Sequence, residues 1–264
     1  MVFGNNNSGD PSFRLRRYEC KYLVSEALAR DIARSIRPFM DVDPHAAGSA
    51  DCSYEIASVY LDAPDLRLFR ETQEGLKKRI KLRIRRYSEC DDAPAFVEIK
   101  RRYDRLVLKG RARLGKDAVA AMLSGGVPDT SALAGGELAC FEEFMAWVAR
   151  WIAQPVVWVR YRREAYVGAQ DPDVRITLDR DLVCAPSEGV SCRLPDCDWH
   201  SLEAGGVVLE LKFTGSYPSW MSRLVQRFDL RQRSYSKYCN AVLHGLGGGC
   251  LPGGQDRAAA ALGS

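Results

Sequence analysis

From Lys77 to Tyr87 the chain reads KKRIKLRIRRY, and no other run constrains the fold as much. Successive side chains of a β-strand point to opposite faces. A strand here carries Lys77, Arg79, Lys81, Arg83, Arg85 and Tyr87 on one face, with Ile80, Leu82 and Ile84 central on the other. One face is cationic and the middle of the other is apolar.

The split recurs along the chain. Arg17, Glu19 and Lys21 share a face in the first strand, and Phe96, Glu98, Lys100 and Arg102 share one in the fourth. Lys109, Arg111 and Arg113 line up in the fifth, and Tyr161 and Arg163 in the sixth. Arg175, Thr177 and Asp179 follow, then Glu210 and Lys212. A half-solvated antiparallel sheet explains any one of these strands. It explains the set less well, because like charges directly opposite each other across strands repel. If the sheet curls with this face inward, the apolar faces turn outward under helices, and eight strands are enough to close a barrel. We therefore expect an α+β fold, an eight-stranded, mostly antiparallel closed barrel with helices packed on its outside. Arginine grips phosphate oxygens bidentately, so a basic bore points to a phosphate chain.

The 46% hydrophobic content of the 264 residues supports a sizeable core. A net charge of +4 is small for a nonspecific nucleic-acid binder, and no binding motif is present, so nucleic acid is set aside. The nine cysteines are odd in number and show no CxxC spacing. That argues against a disulfide framework or zinc ribbon and for a reducing cytoplasm. Cys184, Cys192 and Cys197 lack a clear fourth ligand. The first residues, MVFGNNNSGDPSF, do not read as a signal peptide, and no apolar run comes near the roughly 20 residues of a membrane span. A membrane partner protein stays open.

Residues 1–12 read as a disordered lead, 13–244 as one domain, and 245–264 as a flexible Gly/Pro-rich tail. Ser25 caps a helix reaching about Arg37, and Pro64 opens a short one. Residues 115–152 are helical in pattern with two breaks, and helices at about 218–229 and 235–244 close the domain. Glu19, Glu98, Asp179 and Glu210 share faces with the cations. They read either as internal salt bridges or as a divalent-metal site, Glu210 foremost. His45, His200 and His244 lie outside the strand motifs and read as incidental.

The segments RYECKYLV (17–24), SVYLDAPDLRLF (58–69), KLRIRRY (81–87), FVEIK (96–100), YRREAY (161–166), RITLD (175–179), LELKF (209–213) and SYSKY (234–238) resemble a VTC domain. This is the polyphosphate-polymerase module of the vacuolar transporter chaperone complex, in the triphosphate tunnel metalloenzyme (CYTH-like) superfamily. The resemblance covers about residues 13–244. It implies transfer of the γ-phosphate of ATP to inorganic pyrophosphate or polyphosphate, with Mn²⁺ or Mg²⁺, in an eight-stranded tunnel. Lys21, Arg83, Arg85, Lys100, Arg163 and Arg175 match phosphate-binding tunnel positions. Glu210 matches the metal ligand, with Glu98 as a second candidate. Lys212 belongs to the same strand motif as Glu210, and Ser236 and Lys237 match a phosphate-binding pair. Lys81, Lys109, Arg111 and Arg113 join the bore by parity.

Two departures stand out. Hydrolases and cyclases of the superfamily begin with ExExK, where this sequence has Arg17, Glu19 and Lys21, which suits a chain-binding polymerase. Eukaryotic members also carry an SPX domain and membrane helices, and a stand-alone, bacterial version is expected here. The competing readings are a tripolyphosphatase or nucleoside triphosphatase in the same tunnel, and a noncatalytic polyphosphate-binding module.

Overall fold

A computed structural model describes residues 17–87, 93–104, 106–187, 194–202, 205–215 and 217–245. The lead at 1–12, the tail beyond 245, Cys90, Cys192, Cys250 and the Arg17 side chain lie outside the described residues.

Eight long strands form one antiparallel path. They are β1 (Arg17–Val24), β3 (Ser53–Asp62), β4 (Lys78–Arg86), β5 (Ala95–Tyr103), β6 (Leu106–Leu114), β7 (Gln154–Gly168), β8 (Arg175–Pro186) and β10 (Val207–Thr214). Two short strands, β2 (Met40–Val42) and β9 (His200–Ser201), add to β7 and β8 and are illegible from alternation at such length. The spatial order is β1-β10-β8-β7-β3-β4-β5-β6. The register keeps the cations on one face: Lys81 lies opposite Lys100, Arg83 opposite Glu98, Lys100 opposite Lys109, and Lys21 opposite Glu210.

The expected closed barrel is corrected in two respects. β1 and β6 are the two ends of the hydrogen-bonded path, and no ladder joins them among the described residues. The sheet curls until long side chains meet across the seam, with Lys100 Nζ on β5 2.8 Å from Glu19 Oε2 on β1.

The second correction concerns the helices. On the convex face, α1 (Glu26–Ile36) and α5 (Ser219–Arg227) bury Ile32, Ile36, Met221 and Leu224 against Ile176, Leu178, Leu209 and Leu211. On the other half of that face, α3 (Lys116–Leu123) and α4 (Gly135–Trp151) cover Val59, Leu82, Ile84, Val97 and Ile99. The last helix, α6 (Lys237–Gly245), packs inside. Its Tyr238, Cys239, Ala241 and Val242 join Ile56, Tyr60, Val157, Val159, Tyr161 and Val208 on the concave face. These strand residues share the parity of the bore cations but are apolar, so the concave face has an oily end that takes a helix.

Ser25 Oγ accepts from the Leu28 amide at 3.2 Å and caps α1 as its sequence position implies. The short helix α2 (Arg67–Gln73) starts later than Pro64. The buried Asp62 carboxylate accepts from the Ala63, Leu68 and Phe69 amides at 2.7–2.8 Å, so the end of β3 sets where this helix begins.

Candidate active site

The concave face gathers its charges into two clusters. The first centres on Glu210 of β10. Its Oε1 lies 3.2 Å from Lys21 Nζ on β1 and 3.4 Å from Lys237 Nζ on α6; its Oε2 lies 2.5 Å from Lys212 Nζ and 3.9 Å from an Arg163 Nη on β7. Next to it the fully buried Asp179 on β8 takes both arms of Arg163, at 2.6 and 2.8 Å, and Lys237 at 2.6 Å. Burial works against ionisation of both carboxyls. For Asp179, Arg163 and Lys237 outweigh burial; for Glu210, Lys212, Lys21 and Lys237 do, so both stay below the usual carboxylate range.

The second cluster centres on Glu98 of β5, which is 1% exposed. Arg83 holds its Oε2 at 2.5–2.6 Å, with Arg85 at 3.7 Å, while Lys109 at 2.8 Å and Arg111 at 3.5 Å face Oε1. Burial would raise the Glu98 carboxyl, but Arg83, Arg85 and Lys109 hold it well below its ordinary value. Tyrosines back the arginines: Tyr60 Oη lies 3.2 Å from Arg83, and Tyr161 Oη lies 3.4 Å from Arg85. Between the clusters, Lys81 Nζ donates to Ser236 Oγ at 2.7 Å, and the same oxygen accepts from the Cys239 amide at 3.2 Å. Burial, with Lys21 and Lys100 nearby, pushes the Lys81 ammonium down to about 7.

Thus Lys21, Lys81, Arg83, Arg85, Lys100, Lys109, Arg111, Arg163, Lys212, Ser236, Lys237, Glu98 and Glu210 converge on one concave face. Arg175 and Arg113 share that face by register, opposite Lys212 and Phe96, but both are exposed at its rim. The nearest carboxylate to Arg175 is Asp43, at 3.9 Å. The cations outnumber Glu19, Glu98, Asp179 and Glu210 by more than two to one.

Sequence reasoning gave Thr177 a place on this face but no role. It lies directly opposite Glu210 across β8 and β10, is 5% exposed, and its hydroxyl has no hydrogen-bond partner. Nothing in one strand's alternation marks a hydroxyl as orphaned.

Among the described residues no group of three or more His, Cys, Asp or Glu is arranged to hold a metal. The donor set therefore does not fit a metal caged by protein alone. It does fit a hard divalent ion that takes most of its oxygens from phosphate and water, with the ionised Glu210 and the orphaned Thr177 hydroxyl facing each other as protein ligands. Glu98 has as many cations around it as Glu210, but its cross-strand neighbours are Arg83 and Arg111, so no free hydroxyl stands opposite it as Thr177 does for Glu210. No described helix is long and apolar enough to cross a membrane.

No match was found among curated proteins. Solved structures with similar backbones include a Bacillus halodurans protein described as a candidate adenylate cyclase. It is 14% identical with a TM-score of 0.46, over 84% of this chain and 96% of that one. A Vibrio parahaemolyticus protein described in the same way is 14% identical with a TM-score of 0.43, over 84% and 95%. The Schizosaccharomyces pombe Mediator head module includes a chain 11% identical with a TM-score of 0.37, over 81% and 90%. The VTC domain family model matches residues 16–244, nearly the whole described chain. The chain belongs to the VTC domain family.

Proposed function

We propose that this protein is a metal-dependent phosphoryl-transfer enzyme that moves the γ-phosphate of ATP onto a growing inorganic polyphosphate chain. The observation that carries the reading is the concave face itself, where cations from seven long strands and α6 surround few carboxylates. Such a face is stable beside an anion with charge at regular intervals along its length.

In this account Arg83, Arg85 and Arg163 hold the phosphates around the transferred group, with Lys21, Lys212 and Lys237 on the Glu210 side. Lys81, Lys100, Lys109, Arg111 and Ser236 bind further phosphates, and Arg113 and Arg175 guide the chain at the rim. A terminal phosphate oxygen of the acceptor attacks the γ-phosphorus. The bond to the β–γ bridging oxygen breaks, and ADP leaves with the electron pair. The nucleophile is already anionic, so positioning and charge stabilisation can do most of the work. Mn²⁺ or Mg²⁺ held by Glu210 and Thr177 would neutralise charge on the phosphate oxygens.

Incubation with ATP and Mn²⁺, followed by gel separation of phosphate chains, tests the proposal. Chains longer than the starting phosphate are expected. Free phosphate without chains would favour the triphosphatase reading, and binding without turnover in any metal would favour the noncatalytic module.

A further inference from the structure

Beyond the cations, the concave face ends in a group of aromatic rings that the phosphate chemistry does not use. Tyr87 continues the β4 parity past Arg85, Phe96 lies opposite Arg85 on β5, and Tyr54 lies opposite Arg163 on β7. All three are only half-buried. His45, from the loop between β2 and β3, reaches over them and is exposed. That loop is tied down where the His45 amide donates to the buried Asp43 carboxylate at 2.9 Å.

The spacing is loose. His45 and Tyr87 are near-parallel, 15° apart, with centroids separated by 6.2 Å; Tyr54 lies 6.1 Å from Tyr87 and 6.2 Å from His45. Aromatic pairs in contact have centroids about 4.5–7 Å apart, so these sit toward the wide end. A flat ring slid between two others needs them about 7 Å apart, twice the roughly 3.4 Å rise of stacked bases. Admitting such a ring requires the exposed His45 ring to swing outward by the difference. The Arg111 guanidinium carbon lies over Phe96, 3.7 Å from its centroid, and 5.1 Å from the Tyr87 centroid, adding a cationic edge. Arg85 binds the Tyr87 hydroxyl at 3.4 Å, which joins this group directly to the phosphate-gripping cations.

We infer that His45, Tyr87 and Tyr54, with Phe96 and Arg111 behind them, form a stacking site for the nucleobase of the phosphoryl donor. The inference rests on the phosphoryl-transfer reading and deepens it. The face would then distinguish a nucleoside triphosphate from an inorganic triphosphate of the same phosphate length.

Calorimetric titration of the protein with ATP and with inorganic tripolyphosphate, in EDTA so that no transfer occurs, tests the site. Base–aromatic stacking is strong enough to give about a ten-fold tighter binding of ATP. His45→Ala, which removes an exposed ring, should abolish most of that preference while leaving tripolyphosphate affinity unchanged, and His45→Phe, which keeps a flat ring there, should retain it. Equal affinity of the unaltered protein for the two ligands, or equal loss of both in His45→Ala, overturns the base site and leaves the phosphate bore standing. Failure to bind either ligand overturns both.

Discussion

Thr177 and Glu210 face each other as an orphaned donor and an over-supplied acceptor. A buried hydroxyl without a partner costs about 1–3 kcal/mol. Thr177→Val should therefore raise the stability of the free protein by about 1 kcal/mol in denaturant unfolding and weaken Mn²⁺-dependent tripolyphosphate binding. Thr177→Ser should restore the binding. A Thr177→Val variant neither stabilised nor weakened in binding would remove this residue from the site. Glu210→Gln deletes the charge that Lys21, Lys212 and Lys237 surround. Turnover should disappear while polyphosphate affinity is kept or increased, as equilibrium binding would show.

Lys81 adds a pH dependence whose sign is fixed. Its ammonium titrates near 7 in the fold and near its ordinary 10.5 when unfolded. Between these values the unfolded chain binds more protons, so this lysine makes the free protein more stable as pH rises from about 7 to about 10. Phosphate affinity moves the other way, because the neutral amine no longer attracts an anion. Burial also pushes Lys109 down to about 7 and Lys212 to about 8, so Lys81→Met should shrink both trends without abolishing them, as denaturation and titration across that range would reveal.

At the level of elements, α6 ties the two halves of the chemistry together. Lys237 bridges Asp179 and Glu210 while its ammonium lies 4.8 Å from the centre of the Tyr161 ring. Breaking a buried ion pair by removing one partner costs about 3–5 kcal/mol. Lys237→Met should cost about that much in chemical denaturation; a loss within experimental error would mean the pair is solvated. The strands were legible because KKRIKLRIRRY and its counterparts alternate with period two. The position of α6 was not. The pattern in SYSKYCNAVLH marks one apolar side, and it cannot say which sheet face covers that side. The answer lay in Tyr60, Val157, Val159 and Val208, whose apolar character breaks the cationic parity of the inner face. Pro64 misled in a similar way: a proline suits a helix start, but Asp62 gathers amides several residues downstream.

Across the whole molecule, the sheet curls without closing. Alternation along one strand fixes which side chains share a face; edge pairing depends on twist and on groups far apart in sequence, such as Lys100 and Glu19. The cationic surplus, by contrast, was visible at once, because register places the cationic positions of neighbouring strands next to one another. In the proposed function it is this inner surplus, and not the basic character of the protein at large, that holds a phosphate chain. Affinity for long-chain polyphosphate at fixed salt, compared among variants of equal charge change, tests it most directly. Lys21→Ala, Arg83→Ala and Arg163→Ala should each weaken binding at least ten-fold, about 1.4 kcal/mol or more. Arg34→Ala, on the outer helix α1 beside Asp31, should leave it unchanged. Equal effects of inner and outer substitutions, or no measurable binding by the unaltered protein, would contradict the account.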